Sequence, residues 1–226
     1  MNGRLGCLPL LLFLALVVLL PFMFAQAMLL ALAKLRLSPD VAIMVILGIL
    51  FGSAVNIPVA RIARHEDVTT HPYPLFGLFD LLPRLQRVQR ETIIAVNLGG
   101  CVIPGLLALY ESIRLLMVSW RYVFSLGLAV AISTAACYSL ARPVRGVGIA
   151  MPALVPPLVA AAAALLLAPG QAPPVAFVAG VMGPLLGADI LHLRDVPHIA
   201  TGLASIGGAG TFDGIVLSGI LAAYLA

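Results

Sequence analysis

Charge is what this sequence lacks most. Only 10% of its 226 residues are Asp, Glu, Lys or Arg, against about 25% in a soluble globular domain. No stretch is both long enough and polar enough to form a separate soluble domain. Cysteine is scarce as well. Cys7, Cys101 and Cys137 stand in apolar segments without a CxxC spacing, so they read as small packing residues and no disulfide is expected. The P-loop, the Rossmann fingerprint, GxSxG and HExxH are all missing, and with them the chemistries they carry. Zinc-finger spacing, an RNA-binding signature and a basic helical stripe are missing too, so no nucleic-acid partner is expected. No cofactor is called for.

What is present is apolar surface. Some 62% of the residues are hydrophobic and the mean hydropathy is +1.12, which suits lipid and not water. A helix crosses a bilayer with about 20 apolar residues. Seven stretches approach that length, at 8–33, 41–59, 92–113, 120–141, 149–168, 174–193 and 199–225. The expected fold is therefore all-α: a polytopic transmembrane helix bundle of about seven spans, some broken or re-entrant, in a single integral membrane domain over 1–226. Its first partner is the lipid bilayer. The oligomeric state is left open.

The N-terminus imitates a secretory signal, with Arg4 ahead of the apolar run 8–20 and Ala25-Gln26-Ala27 as a cleavage-like site. The apolar run continues through 28–33, so it reads as a retained first span. The long connector 60–91 holds five arginines and reads as a cytoplasmic loop at the headgroups, with 75–82 as a short interfacial segment. With seven spans, nine Lys/Arg fall on one side and four on the other. The positive-inside rule then places the N-terminus and that loop in the cytoplasm and the C-terminus outside, in a multi-pass cytoplasmic-membrane protein.

Several spans are irregular. Gly183 and Gly187 form a GxxxG pair, which lets a neighbouring backbone approach closely. Pro152, Pro156 and Pro157 make the start of the fifth segment non-helical or kinked. Asn97-Leu98-Gly99-Gly100 followed by Pro104 predicts a local helix break, and Asn56-Ile57-Pro58 a helix stop. Gly207-Gly208-Ala209-Gly210 is too flexible for helix interior, so 199–210 should enter the membrane as a loop or broken helix. Thr211 then suits an N-cap for a half-length helix over 212–226.

Six aspartates and three glutamates are present, mostly in connectors or at span ends. Glu111 and Arg114 are spaced as an i, i+3 ion pair. Asp189 and Asp213 fall inside apolar segments, where a carboxylate costs roughly 2.5–3.5 kcal/mol and marks function by default. On antiparallel neighbouring helices the two can meet. Two facing carboxyls share one proton, the ionised one activating water and the protonated one polarising a carbonyl. Three readings stay open for them: structural pairing, transport or ion coupling, and hydrolysis. Asn97, Gly99, Gly100, Pro152, His192, Gly208, Gly210 and Thr211 are the expected cavity-lining or substrate-binding residues. Asp189, His192, Asp195 and His198 recur every three residues and form an alternative metal set, although Pro197 interrupts any helix there.

Taken together, Asn97-Leu98-Gly99-Gly100, Arg142-Pro143-Val144, Pro152-Ala153-Leu154, Gly187-Ala188-Asp189-Ile190-Leu191-His192-Leu193 and the run 207–214 resemble an uncharacterised prokaryotic family of polytopic membrane proteins. That resemblance covers most of the chain from Asp40 onward and implies no established activity. More distantly the chain is similar to the intramembrane aspartyl proteases, such as presenilin and prepilin peptidase. Asp189 matches their first Asp, and Gly208-x-Gly210 precedes Asp213 as in their Gly-x-Gly-Asp motif, but with Thr211 and Phe212 inserted. Pro152-Ala153-Leu154 matches the presenilin Pro-Ala-Leu motif, yet precedes both aspartates. This likeness implies intramembrane peptide hydrolysis by Asp189 and Asp213, on a membrane-embedded peptide. The rival is a small transporter or channel for a small solute, with the same aspartates at a midplane site. A structural membrane protein without catalysis is the third possibility.

Overall fold

The computed structural model describes residues 7–70, 84–144, 148–196, 202–208 and 214–226. The apolar runs become helices: α1 (Cys7–Lys34), α2 (Pro39–Gly52), α3 (Ile103–Val118), α4 (Trp120–Leu140), α5 (Val155–Leu167), α6 (Ala172–Pro184) and α7 (Gly214–Leu225). Four helical stretches are long and apolar enough to cross a membrane: Leu12–Lys34, Leu98–Val118, Trp120–Leu140 and Pro169–Asp195. α2, α5 and α7 are apolar but shorter. At 1.5 Å per residue α7 reaches only about 18 Å.

α6 is the axis of the bundle. Every residue from Pro174 to Val181 is buried, as expected of a helix apolar on all sides. α3, α4, α5 and α7 pack around it, and glycines set how closely. A Cβ on Gly180 would sit 2.7 Å from the Ser218 carbonyl of α7, and one on Gly219 would run into Val181. A Cβ on Gly183 would overlap Ser133 of α4, and one on Gly187 would overlap the Thr134 carbonyl. The GxxxG pair thus seats α6 against the α4 backbone. The outer faces carry exposed Leu, Phe, Ile and Met side chains, as at Leu12, Phe13, Met44, Leu106 and Phe124. Only the C-terminal end of α1 joins the core, through Met28, Ala31, Leu32 and Leu35.

Hydrogen bonds across helix ends fix the chain path. Lys34 Nζ donates to the Tyr224 carbonyl at 2.6 Å, joining the C-terminal ends of α1 and α7. Arg114 Nη1 donates to the Leu35 carbonyl at 2.7 Å and to both Glu111 oxygens at 2.9 and 3.1 Å. The expected i, i+3 pair therefore forms, and it also caps the end of α1. Ser125 Oγ at the start of α4 donates to the Leu167 carbonyl at the end of α5, 3.0 Å away.

The helix bundle carries a β element that the spans 41–59 and 92–113 and the connector 60–91 did not anticipate. α2 stops at Gly52, and β1 (Asn56–Thr70) pairs antiparallel with β2 (Arg84–Asn97). A short β5 (Leu203–Ile206) adds to β2 in parallel, giving the order β1-β2-β5. β3 (Arg142–Val144) and β4 (Gly148–Ala150) form a separate two-stranded pair. The cause is composition. Val59 and Ile62 stand on one strand and Thr92, Ile93, Ile94 and Val96 on its partner, and β-branched residues favour a pleated surface. Pro58 is tolerated because the register shifts between Pro58 and Ala60. The interfacial segment expected at 75–82 lies outside the described residues.

Candidate functional site

Among the described residues two segments are π-helical, at the break expected after Asn97 and in the stretch that holds Gly187. The first, Leu98–Val102, opens α3; the second, Leu185–Ile190, continues α6. Single π turns inside α-helices recur at functional sites. Each has a local cause. Asn97 is extended (φ −78°, ψ 132°), and its Oδ1 accepts from the Gly100 N–H at 2.8 Å, so it caps the first π turn. Pro184 stands just ahead of the second; it has no N–H to donate, and the following ladder widens to Leu191 N–H on the Leu186 carbonyl at 2.9 Å.

Asn97 is fully buried and sits at a polar knot. Its Nδ2 donates to the Ser53 carbonyl at 2.7 Å and to Asn56 Oδ1 at 3.1 Å. Ser205 Oγ donates to the same Asn56 oxygen at 2.5 Å. The end of α2, the start of β1, the end of β2 and β5 are thus tied at one point. Glycine makes this approach possible. A Cβ on Gly99 would overlap the Ile49 carbonyl and Ser53 N, and one on Gly100 would overlap the Gly207 carbonyl. Gly207 itself has φ +66°, a left-handed conformation that glycine adopts without steric cost. The break expected at the Gly-rich run is real on its described side, since 203–206 is strand and Gly208 N–H closes a turn on the Ser205 carbonyl.

The expected residues fall into groups. Asn97, Gly99, Gly100 and Gly208 gather around the polar knot. Asp189 lies in the second π turn, partly buried. His192 follows it, 8% exposed, with Nδ1 3.0 Å from the Gly187 carbonyl and its ring 4.9 Å from that of Tyr138. A carbonyl only accepts, so the His192 proton sits on Nδ1. Pro152 is exposed in the turn before α5. Asp213, Gly210, Thr211 and His198 lie outside the described residues. Among the described residues no three of His, Cys, Asp and Glu gather as a metal site.

Sequence reasoning missed Asn56 and Ser205. Asn56 falls in the expected helix stop, and Ser205 in the stretch 199–210 expected to enter the membrane as a loop or broken helix. The available signal was that Asn56 and Asn97 bracket two β-branched runs that pair with each other, Asn56 opposite Asn97.

A helix bundle with lipid-facing apolar surfaces and spanning-length helices defines a polytopic integral membrane protein. Within that class the chain belongs to a family of proteins of unknown function, DUF1614, which it matches over residues 50–225. No curated protein and no solved structure matches it significantly.

Proposed function

We propose that this membrane protein is an aspartyl-type intramembrane peptide hydrolase, with Asp189 and Asp213 as its acid–base pair. One observation carries the reading. α6 and α7 pack face to face through Gly180 and Gly219, and they run antiparallel. α7 ends beside the end of α1, which Arg114 near the end of α3 also holds, and α6 starts on that same side, after the end of α5 meets the start of α4. The end at which α6 becomes π-helical is therefore the end at which α7 begins. Asp189 stands in that π turn, and Asp213 directly precedes Gly214, the first residue of α7. That Asp189 belongs to the π turn at this end and Asp213 adjoins Gly214 in the sequence supports reading the two carboxyls as one pair.

In the reaction, the ionised carboxyl takes a proton from water as the water oxygen bonds to the peptide carbonyl carbon. The protonated partner donates to the carbonyl oxygen. Collapse of the gem-diol adduct then breaks the C–N bond: the carboxyl that took the proton from water passes it to the leaving amine, and one gem-diol hydroxyl returns its proton to the other carboxylate, which restores the pair. A membrane-embedded peptide must be locally unwound to expose its carbonyl. The N-terminus and the β1–β2 hairpin face the cytoplasm in this reading.

A photoreactive hydroxyethylene isostere, which imitates the tetrahedral adduct, tests it. The wild-type protein in lipid nanodiscs should be labelled, and Asp189→Asn and Asp213→Asn should each lose at least nine-tenths of the label while still inserting. Equal labelling of both variants and the wild type would remove the proposal.

A transporter is favoured by a separate observation: π turns interrupt the spanning stretches that contain α3 and α6, and α2 and α7 are shorter than a full crossing. Discontinuous helices of that kind build midplane ion and solute sites. Flux of a small solute through proteoliposomes that falls in the Asp189→Asn variant, with no isostere labelling, would select it.

A further inference from the structure

The polar knot has more consequence than closing a helix break. β5 is only four residues long and pairs with β2 alone. Its ladder runs from Ile93–Leu203 to Val96–Ile206. Such a short strand on a sheet edge is weakly held by its backbone alone. Two further contacts fasten it: Ser205 Oγ on Asn56 Oδ1 at 2.5 Å, and the close approach of Gly207 to Gly100. Asn56 is in turn held by Asn97 Nδ2 at 3.1 Å, and Asn97 by the Ser53 carbonyl and the Gly100 N–H. β5 is therefore anchored, side chain by side chain, to the junction of α2 and α3.

We infer that Asn56, Asn97 and Ser205 are positioning residues: they fix the strand 203–206, and through it the start of α7, against the break that opens α3. The inference rests on the carboxyl-pair reading for its functional meaning, because Asp213 lies between this anchored strand and Gly214. A fully buried Asn with three hydrogen bonds is costly to place in an apolar bundle. A helix break needs only the cap to Gly100. The second and third bonds of Asn97 serve the neighbouring segments.

Two substitutions at Ser205 separate positioning from folding. Ser205 is only partly buried, and Ser205→Ala removes the hydroxyl while Ser205→Thr keeps it. Losing one such hydrogen bond corresponds to about a tenfold change in a local equilibrium. In the full-length protein in nanodiscs, amide exchange over 203–208 should be about tenfold faster in Ser205→Ala and close to wild type in Ser205→Thr. Exchange in α4 and α6 should not change. In a cysteine-free background, an Asp189→Cys, Asp213→Cys pair should cross-link about threefold less well when Ser205→Ala is added, and be restored by Ser205→Thr. Exchange that ignores Ser205→Ala overturns the inference whatever the cross-link does. A parent pair that never cross-links, with exchange still responding, overturns the carboxyl-pair reading and leaves the anchoring standing.

Discussion

At the scale of single residues, the membrane interior makes each polar side chain costly, so its partners are its explanation. Glu111 is 1% exposed, and Arg114 answers it with one nitrogen bonded to both carboxylate oxygens. The same nitrogen satisfies the Leu35 carbonyl, one of the groups a helix end leaves unpaired. Removing one partner of a buried pair strands the other. Glu111→Ala should lower stability by about 3 kcal/mol, the low end of the range for buried pairs, since the Arg114 side chain is one-third exposed. Glu111→Gln, which keeps an acceptor for Arg114, should cost less. Unfolding by SDS titration of both variants measures the difference; equal losses would show that the charge carries the whole effect and that the retained acceptor for Arg114 contributes nothing.

At the scale of elements, hydropathy read the helices well and the strands badly. α4 was legible because its apolar run is long and unbroken, and α6 because its stretch stays apolar through the turn at Pro184. The segment Thr92-Ile93-Ile94-Ala95-Val96 is also apolar and joins directly to α3, so a hydropathy window merges strand and helix into one span. Its β-branched content was the contrary signal. The pairing of β2 with β1 decides the matter, and a partner strand more than twenty residues away is invisible to a local window. The helix break at Asn97-Gly99-Gly100 was legible from composition, but its anchor on Asn56 and Ser205 was not, because those contacts cross 41 and 149 residues of chain. Ile94 is paired on both sides, to Ala60 in β1 and Ala204 in β5. Ile94→Pro removes a ladder donor from a central strand, where proline is not accommodated. It should abolish exchange protection in both ladders, while a second proline beside Pro58, as in Val59→Pro, should be milder at the register shift. Protection retained around 203–206 in Ile94→Pro would contradict the central position of β2.

At the scale of the whole molecule, glycine-mediated packing of α6 against α4 and α7 produces an axis with one irregular end. Asp189 is at that end, and the chain re-enters α7 there. The fold class, the irregular places and the aspartates were readable from 62% apolar composition and a few interrupted motifs. The meeting of α6 and α7 was not, because small residues that permit close approach do not specify which helix approaches. The central claim is that this end brings two carboxyls together. The most direct measurement is thiol cross-linking of Asp189→Cys with Asp213→Cys in a cysteine-free protein, using a reagent that spans about 6 Å, roughly the Cα separation of a disulfide. Ser125→Cys with Leu167→Cys, positions joined by a hydrogen bond where α4 begins and α5 ends, serves as the positive control. The account predicts efficient cross-linking of both pairs. Cross-linking of the control pair with none between positions 189 and 213 would contradict it.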